Sequence, residues 1–316
     1  MSAFLVTGGA GFIGSNLVET ILRAGDDARV LDDFSTGRRE NLEDAGRWAG
    51  EGGGSFTLIE GDIRDESTVR EAVAGVDFVL HQAAMPSVPR SVRDPVNSNE
   101  VNVRGTLLLL QAARESGVRR FVFASSSSIY GESEELPKRE TMRRAPISPY
   151  GLQKMTAESY CGLFHALYGL PTVALRYFNI FGPRQDPGSE YSAVIPKFIE
   201  AIRNDGSPTI HGDGEQTRDF TYIDNAVQAN LKACTAGEAA FGRTFNVGCG
   251  DRISLNGLVE QLYAFAGKPP QAVHGPPREG DIKHSLAAID AAREALGYAP
   301  TVDIADGLRR TWEAFD

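Results

Sequence analysis

Short apolar runs recur along the first 180 residues of the chain, and longer stretches with helical spacing separate them. The runs are rich in β-branched and aromatic side chains, as expected of strands buried on both faces of a sheet. We predict strands at residues 4–7, 29–32, 56–60, 78–81, 121–124 and 172–176. Two of the helical stretches are long, near residues 97–116 and 150–168. This alternation predicts an α/β fold built on a doubly wound parallel sheet.

The pattern changes after residue 179. Segments 180–210, 250–280 and 295–316 have irregular spacing and many glycines and prolines, as is typical of loops that carry binding residues over a rigid scaffold. We therefore expect residues 1–179 to form the doubly wound domain, with interleaved later segments. Residues 180–316 would form mainly a smaller α/β region that covers a substrate.

A polar stretch interrupts the alternation between Arg38 and Ser55. It ends in Glu51-Gly-Gly-Gly-Ser55, and glycine-rich segments of this kind are flexible. We predict a surface loop here rather than part of a site.

Composition and charge narrow the class of protein. The 316 residues are 41% hydrophobic and 23% charged, an ordinary balance for a globular chain. A net charge of −10 disfavours nucleic acid and anionic membranes as partners. The first strand begins at residue 4, no apolar run approaches the length of a membrane span, and the three cysteines are scattered. We expect a cytoplasmic protein with reduced thiols.

Three glycines follow the first strand, at Gly8, Gly11 and Gly14, and a helical pattern begins directly after them. Glycine lets the backbone turn tightly and approach a pyrophosphate, while the amides of the helix N-terminus bind the anion. The spacing G-x-x-G-x-x-G differs by one residue from the dinucleotide fingerprint. Strand, glycines and helix in this order predict a Rossmann-like dinucleotide site.

The next strand ends at Asp32, where a carboxylate hydrogen-bonds a ribose diol and repels a 2′-phosphate. This position favours NAD over NADP, although Arg38 and Arg39 lie close enough in sequence to keep NADP open. Asp62 follows the third strand. Its carboxylate is placed to accept from a purine amine, and its alternative role is to cap the next helix.

Tyr150 and Lys154 are four residues apart, so they share one face of the helix that begins after Ser148-Pro149. An ammonium beside a phenol favours the phenolate, which would let Tyr150 act as a base. Upstream, Ser125 to Ser128 end the fifth strand, at the sheet edge where ligands bind. A solvent-exposed pair and a serine-rich turn are the alternatives, but the dinucleotide loop in the same domain favours a catalytic role.

Four motifs occur in an order that resembles the extended short-chain dehydrogenase/reductase family. They are Thr7-Gly-Gly-Ala-Gly-Phe-Ile-Gly14, the serine-rich segment before Tyr130-Gly131, Ser148-Pro-Tyr-Gly-Leu-Gln-Lys154 and Leu175-Arg-Tyr-Phe-Asn179. Within that family, nearly the whole chain is similar to nucleotide-sugar 4-epimerases. The resemblance implies NAD as cofactor, no metal, and inversion of C4 of a UDP-hexose through a 4-keto intermediate.

The same resemblance implies roles for individual residues. It gives Ser126, Tyr150 and Lys154 as the catalytic group. The cofactor-binding residues that it implies are Gly8, Gly11, Phe12, Ile13, Gly14, Asp32, Asp62, Ile63, Gln82, Ala83, Ala84, Asn102, Tyr150, Lys154 and Tyr177. The substrate-binding residues that it implies are Ser87, Ser126, Ser127, Ser128, Tyr150, Asn179, Ala193, Val194, His211, Arg218, Arg278, Asp281 and Ser285.

Arginines supply the positive charge that an acidic chain needs to hold a diphosphate. Arg218 and Arg278 have the planar guanidinium groups that suit phosphate oxygens. Surface ion pairs with Asp219 and Glu279 are the alternative for these two side chains. His211 has the alternative of an ordinary loop histidine.

Relatives on the same scaffold perform other reactions. Nucleotide-sugar dehydratases carry an Asp-Glu pair after the catalytic hydroxyl residue, and UDP-glucuronate decarboxylases typically carry a Glu there. This chain has Ser127, Ser128 and Ile129 instead, which favours epimerisation. A non-catalytic NAD-sensing protein is the remaining alternative, and the intact Ser126, Tyr150 and Lys154 argue against it.

The identity of the sugar depends on few positions. Ser285 is small where glucose-restricted relatives have a tyrosine, which favours UDP-N-acetylglucosamine alongside UDP-glucose; a helix N-cap is its alternative role. UDP-glucuronate is the rival substrate, with Arg184 as a partner for its carboxylate. Met85-Pro86 replaces a less constrained pair and is expected to reshape the pocket near the sugar.

The two long helices, 97–116 and 150–168, correspond to those that pair in family dimers. Leu107 to Leu110 with Leu163, Phe164 and Leu167 would form a four-helix homodimer interface. Their alternative role is to cover the sheet.

Overall fold

The computed structural model describes residues 1–186, 188, 194–277 and 283–315. The predictions for Ala193, Arg278 and Asp281 fall outside these residues. The strands, in chain order, are β1 (Ala3–Thr7), β2 (Asp27–Asp32), β3 (Phe56–Glu60), β4 (Phe78–His81), β5 (Arg120–Ser126), β6 (Thr172–Tyr177), β7 (Ile180–Phe181), β8 (Thr209–His211), β9 (Thr217–Arg218), β10 (Thr221–Tyr222), β11 (Arg243–Val247), β12 (Ile253–Ser254) and β13 (Val273–Gly275).

Seven of these strands form one parallel sheet in the order β11-β6-β5-β4-β1-β2-β3. The six predicted strands all lie in it, so the doubly wound parallel sheet is confirmed. The seventh, β11, pairs with β6 from Arg243↔Val173 to Val247↔Tyr177. Its sequence gives no continuous apolar run because it is an edge strand that begins exposed and becomes buried only from Phe245.

Helices pack on both faces of this sheet. In chain order they are α1 (Phe12–Arg23), α2 (Ala45–Gly52), α3 (Glu66–Val73), α4 (Val88–Arg93), α5 (Pro95–Asn99), α6 (Thr106–Glu115), α7 (Pro149–Tyr168), α8 (Val194–Arg203), α9 (Ile223–Thr235), α10 (Leu255–Ala266), α11 (Asp290–Leu296) and α12 (Ile304–Glu313). The predicted helix at 97–116 consists of α5, a π-helical turn at Glu100–Gly105, and α6.

The prediction of a flexible loop between Arg38 and Ser55 is wrong. A 3-10 turn at Arg39–Leu42 leads into α2, which packs against α1. Leu42, Ala45 and Trp48 are buried, and their spacing of three places them on one helical face. Polar residues separate these three positions, and glycines end α2, so the sequence does not show the apolar pattern typical of a helix.

The core has two layers, one on each face of the sheet. Along β1, Phe4 and Val6 join the layer beneath α1 and α9, while Leu5 joins the layer beneath α3, α6 and α7. Alternate side chains of a strand point to opposite faces, so a strand buried on both faces reads as a continuous apolar run. For this reason the central strands can be predicted from the sequence.

The region after residue 179 adds three two-stranded pairs, β10 with β7, β12 with β9, and β13 with β8. Helix α10 packs against α8 and α12, and α12 packs against β10. Across the residues that the structure describes, every helix is too short or too polar to cross a bilayer.

Candidate active site

A cleft of about 770 Å³ opens at the carboxyl ends of the parallel strands. Open α/β sheets bind their ligands at this edge. Most of the residues that the sequence singles out meet here. The predicted residues that line the cleft are Gly8, Gly11, Phe12, Ile13, Gly14, Asp32, Asp62, Ile63, Gln82, Ala83, Ala84, Ser87, Ser126, Tyr150, Lys154, Tyr177 and Asn179.

The glycine loop between β1 and α1 forms the floor of the cleft. Gly8 has φ +69°, a conformation that other residues rarely adopt, and a Cβ there would lie 2.7 Å from the amide nitrogen of Ala83. A Cβ on Gly14 would lie 2.1 Å from the carbonyl oxygen of Gly8. The loop therefore folds tightly against the start of α1, whose N-cap is Gly11. This cradle of backbone amides fits a pyrophosphate.

Asp32 lies beside the glycine loop at the end of β2. Its carboxylate accepts hydrogen bonds from the amides of Ala10 and Phe34, both at 2.9 Å. Burial raises the pKa of Asp32, and these two amides oppose the shift. The position agrees with the expected contact to a ribose diol.

Asp62 is held by its neighbour Arg64. The guanidinium of Arg64 donates to both carboxylate oxygens, from Nε at 2.9 and 3.0 Å. This pairing lowers the pKa of Asp62. Asp62 does not cap the following helix, because the N-cap of α3 is Asp65, whose carboxylate accepts from the amide of Thr68 at 2.8 Å.

The first turn of α7 places Tyr150 and Lys154 beside the end of β5. Ser148 caps this helix by accepting from the amide of Gly151 at 3.1 Å, and Pro149 occupies its first position. Lys154 Nζ donates to the carbonyl of Ala124 at 2.7 Å. Ser126, at the end of β5, and Tyr150 both line the cleft. The predicted catalytic group is therefore assembled around one strand end.

Burial shifts the pKa of both titratable groups, Tyr150 and Lys154. Burial raises the pKa of Tyr150 to about 12, and the nearby hydroxyl of Ser126 only partly opposes the shift. Burial also lowers the pKa of Lys154 to about 8. The ammonium lies 5.9 Å from the centre of the tyrosine ring. That Lys154 favours the phenolate, together with a cationic nicotinamide beside both groups, stays a prediction.

Glu158 is a third residue on the same face of α7, one turn beyond Lys154, and the sequence analysis missed it. Its buried carboxylate accepts from the hydroxyl of Ser125 at 2.8 Å and from Arg176, Nε at 2.9 Å and Nη2 at 2.6 Å. Arg176 Nη1 donates in turn to the hydroxyl of Tyr130 at 2.8 Å. This network fixes the serine-rich strand end against the catalytic helix. In the sequence, the spacing of four residues between Lys154 and Glu158 indicates that the two side chains share one face of a helix.

Tyr177 and Asn102 belong to two further polar networks. The hydroxyl of Tyr177, on the cleft wall, accepts from Asn230 Nδ2 at 2.6 Å and from Gln82 Nε2 at 3.2 Å. Asn102 does not line the cleft. It lies behind the wall, where it accepts from the amide of Met85 at 2.7 Å and donates to Gln153 at 2.8 Å.

The substrate side of the cleft is organised by a buried carboxylate that the sequence analysis treated only as an ion-pair partner. Asp219 is fully buried and accepts from the amides of Cys249 at 2.8 Å, Gly250 at 3.1 Å and Ala287 at 3.0 Å. Its burial raises the pKa of this carboxyl to about 6, and the three amides oppose the shift. Asn179 donates to the carbonyl of Asp219 at 3.0 Å. Asp219 thus joins three separate segments beside Asn179.

Several predicted substrate residues do not line the cleft. Arg218 does not pair with Asp219; its guanidinium donates to the carbonyls of Thr217 and Lys283 at 3.0 and 3.1 Å. His211 Nδ1 contacts the carbonyl of Pro276 at 3.2 Å. The other predicted residues away from the cleft surface are Ser127, Ser128, Val194 and Ser285.

Sequence reasoning also missed part of the cleft wall. Arg184, Gln185 and Asp186 line the cleft opposite the glycine loop. Arg184 was considered only as a partner for a sugar carboxylate. In the structure its guanidinium is paired with Glu19 on α1.

Comparison with known proteins agrees with this geometry. The model of the NAD dependent epimerase/dehydratase family matches residues 4–248. A UDP-glucose 4-epimerase of Mycolicibacterium smegmatis is 40% identical over 98% of this chain and 97% of its own. A UDP-N-acetylglucosamine 4-epimerase from Methanobrevibacter ruminantium, solved with UDP-N-acetylmuramic acid, superposes with a TM-score of 0.93 at 38% identity, over 99% of this chain and 98% of its own. A UDP-glucuronic acid 4-epimerase from Bacillus cereus, solved with UDP-glucuronic acid and NAD, gives 0.89 at 31% identity over the same shares.

Proposed function

The chain belongs to the NAD dependent epimerase/dehydratase family, and from this premise we propose that it inverts C4 of a UDP-hexose. The observation that carries the proposal is the position of Ser126, Tyr150 and Lys154. All three meet at the end of β5, in the cleft that also holds the glycine loop. Substrate and cofactor would therefore share one enclosure.

The cleft fits NAD, the cofactor of this family. The glycine loop provides the amides for its pyrophosphate, Asp32 a carboxylate for a ribose, and Lys154 and Tyr177 polar groups on the opposite wall. When bound, NAD would supply a reversible hydride acceptor for C4, which would pass through a 4-keto form, and a positive charge within the cleft.

Tyr150 and Ser126 both act on the 4-hydroxyl group of the sugar. The Tyr150 phenolate accepts the proton of the 4-hydroxyl and returns it at the end of the cycle, while Ser126 hydrogen-bonds the same oxygen. Lys154, anchored on the carbonyl of Ala124, keeps a cationic group near the phenol. Positions 127–129 hold no acid, so the protein lacks the additional acid–base group that dehydration or decarboxylation of the sugar requires.

We propose UDP-glucose and UDP-N-acetylglucosamine as the substrates. Ser285 is nearly buried, and its hydroxyl accepts from Asn179 at 3.3 Å. A serine occupies less volume than a tyrosine, which leaves room beside C2 for an acetamido group. UDP-glucuronate remains the second candidate because of the Bacillus cereus relative. Arg218, Arg278 and Asp281 stay predictions for the UDP moiety.

NMR of the purified protein with UDP-N-acetylglucosamine, without added NAD, tests this proposal. We expect the anomeric signal of UDP-N-acetylgalactosamine to grow to a stable ratio. Ser285→Tyr should abolish this conversion while UDP-glucose is still converted. Conversion of UDP-glucuronate alone would overturn the choice of sugar. No conversion of any of the three, even with NAD supplied, would overturn the epimerase proposal.

We also propose a cytoplasmic homodimer assembled through α7. Leu163 and Leu167 are 51% and 67% exposed on this helix. Phe164 and Leu109 are buried in the core, so part of the predicted interface covers the sheet instead. The two fully buried cysteines, Cys161 and Cys234, are free thiols, as is usual in a reducing compartment.

A further inference from the structure

Residues 182–186, which follow β7, cross from the substrate side of the cleft to the dinucleotide side; we call them the strap. The carbonyl of Pro183 accepts from Asn16 Nδ2, on α1, at 3.4 Å. The carboxylate oxygen Oδ1 of Asp186 lies 3.7 Å from Nη1 of Arg38, a residue beyond the end of β2. The strap therefore contacts two elements that surround the dinucleotide site.

The strongest anchor of the strap is Arg184. Its guanidinium pairs with Glu19 on α1, with both side chains only about a quarter exposed or less, at 22% and 24%. The same guanidinium lies 5.2 Å above the ring of Trp48. Arg184 has φ +69°, an uncommon backbone conformation for a non-glycine residue. Such a conformation persists when its surroundings hold it, and here Glu19 and Trp48 do so.

Two buried side-chain atoms of the strap have unused hydrogen-bonding capacity. Arg184 Nη1 and Gln185 Oε1 are buried, and neither has a hydrogen-bond partner within the described part of the chain. Both residues line the cleft together with Gly11 and Asp32. Buried polar atoms nearly always have a partner, so these two point to a ligand. One is a cationic donor and the other an acceptor, which together match the oxyanion and hydroxyl of a ribose phosphate.

We propose that the strap closes the cleft over the bound dinucleotide, with Arg184 and Gln185 hydrogen-bonding its ribose phosphate and Glu19 fixing Arg184 in place. The benefit of such retention rests on the proposed function. A sugar oxidised at C4 must receive its hydrogen back from the same cofactor molecule. Loss of the cofactor between the two half-reactions would leave a keto sugar in the cleft.

The test measures cofactor release without any sugar. Wild type, Arg184→Gln, Glu19→Gln and Arg23→Gln are loaded with NAD, separated from free cofactor, and the bound NAD is followed over time. Arg23→Gln is the matched control, since Arg23 binds the same carboxylate of Glu19 at 2.9 Å but does not touch the strap. We expect release to be about tenfold faster in Arg184→Gln and Glu19→Gln, as for the loss of one charge-assisted hydrogen bond. The control should release NAD at the wild-type rate.

A charge-swapped double variant, Glu19→Arg with Arg184→Glu, separates anchoring from general damage to the fold. If the anchor is the ion pair, the double variant should release NAD more slowly than the Arg184→Glu single variant. Wild-type release rates in Arg184→Gln would overturn the proposal, and so would equal acceleration in Arg23→Gln. Because no sugar is present, faster release from a protein that converts none of the UDP-sugars would support the strap and reject the proposed function.

Discussion

Desolvation is the main influence on the pKa of Tyr150 in the protein alone. Burial raises the pKa of its phenol to about 12, far above the range in which a base works at neutral pH. Lys154 titrates near 8 because it is buried as well. In the protein alone, the phenol of Tyr150 is therefore protonated at neutral pH. In the proposed mechanism, Lys154 and the cationic nicotinamide together would stabilise the phenolate.

Replacing Tyr150 by Phe removes the proton acceptor and keeps the ring. We expect kcat for C4 inversion to fall by about 10² to 10⁴-fold, the usual contribution of general acid–base catalysis. The amount of NAD bound per chain should change little. Steady-state kinetics and assay of the released cofactor measure the two effects.

Tyr160→Phe is the matched control for this substitution, since Tyr160 lies on the same helix and packs in the core layer away from the cleft. It should leave kcat unchanged. A Tyr150→Phe variant with wild-type kcat would remove Tyr150 from the mechanism.

Residues that follow a fixed spacing within one element can be predicted from the sequence. Gly8 and Gly14 follow a fixed spacing after a strand, and Tyr150 and Lys154 share a helix face. Asp219 has no such rule, because its amide partners lie 30 to 68 residues away in sequence. Arg184 pairs with a residue 165 positions distant. Only the folded chain brings these partners together.

At the scale of elements, α7 serves two purposes. One face carries Tyr150, Lys154 and Glu158 against the sheet. The opposite face carries Leu152, Leu163 and Leu167, which are 51%, 51% and 67% exposed. Their spacing of eleven and four residues places them on one side of the helix. This exposed apolar stripe supports the proposed dimer interface on α7.

If α7 forms the dimer interface, light scattering should give a mass about twice the 34.1 kDa of the chain. Leu163→Asp with Leu167→Asp should reduce it to the monomer mass, since burying two carboxylates opposes association. Val273→Asp, on an exposed strand residue remote from α7, should leave the dimer intact. A wild-type protein that is monomeric at all concentrations would contradict the dimer.

Element prediction succeeded where burial on both faces made the strands continuously apolar. It failed at α2, where the buried stripe of Leu42, Ala45 and Trp48 lies among polar residues. It also failed at β11, which has the mixed composition of an edge strand. In both elements, half of the surface faces solvent, which dilutes the hydrophobic signal.

At the scale of the molecule, the cleft is built from two parts of the chain that Asp219 holds together. Its carboxylate binds the amides that follow β11, at the edge of the main sheet, and the amide of Ala287 on the substrate side. The glycine loop and the catalytic group belong to the sheet, while Asn179 lines the cleft and hydrogen-bonds Asp219 and Ser285 behind it. A sugar bound between the two parts would be enclosed with its cofactor.

The most direct test of this account follows the hydrogen at C4. The protein is incubated in ordinary water with a UDP-hexose carrying deuterium at C4, and the product is examined by NMR and mass spectrometry. We predict that the epimer retains deuterium at C4, because the label moves only between the sugar and a cofactor held in one enclosed cleft. Replacement of the label by hydrogen from the solvent would contradict the account, because C4 would then exchange with water during inversion.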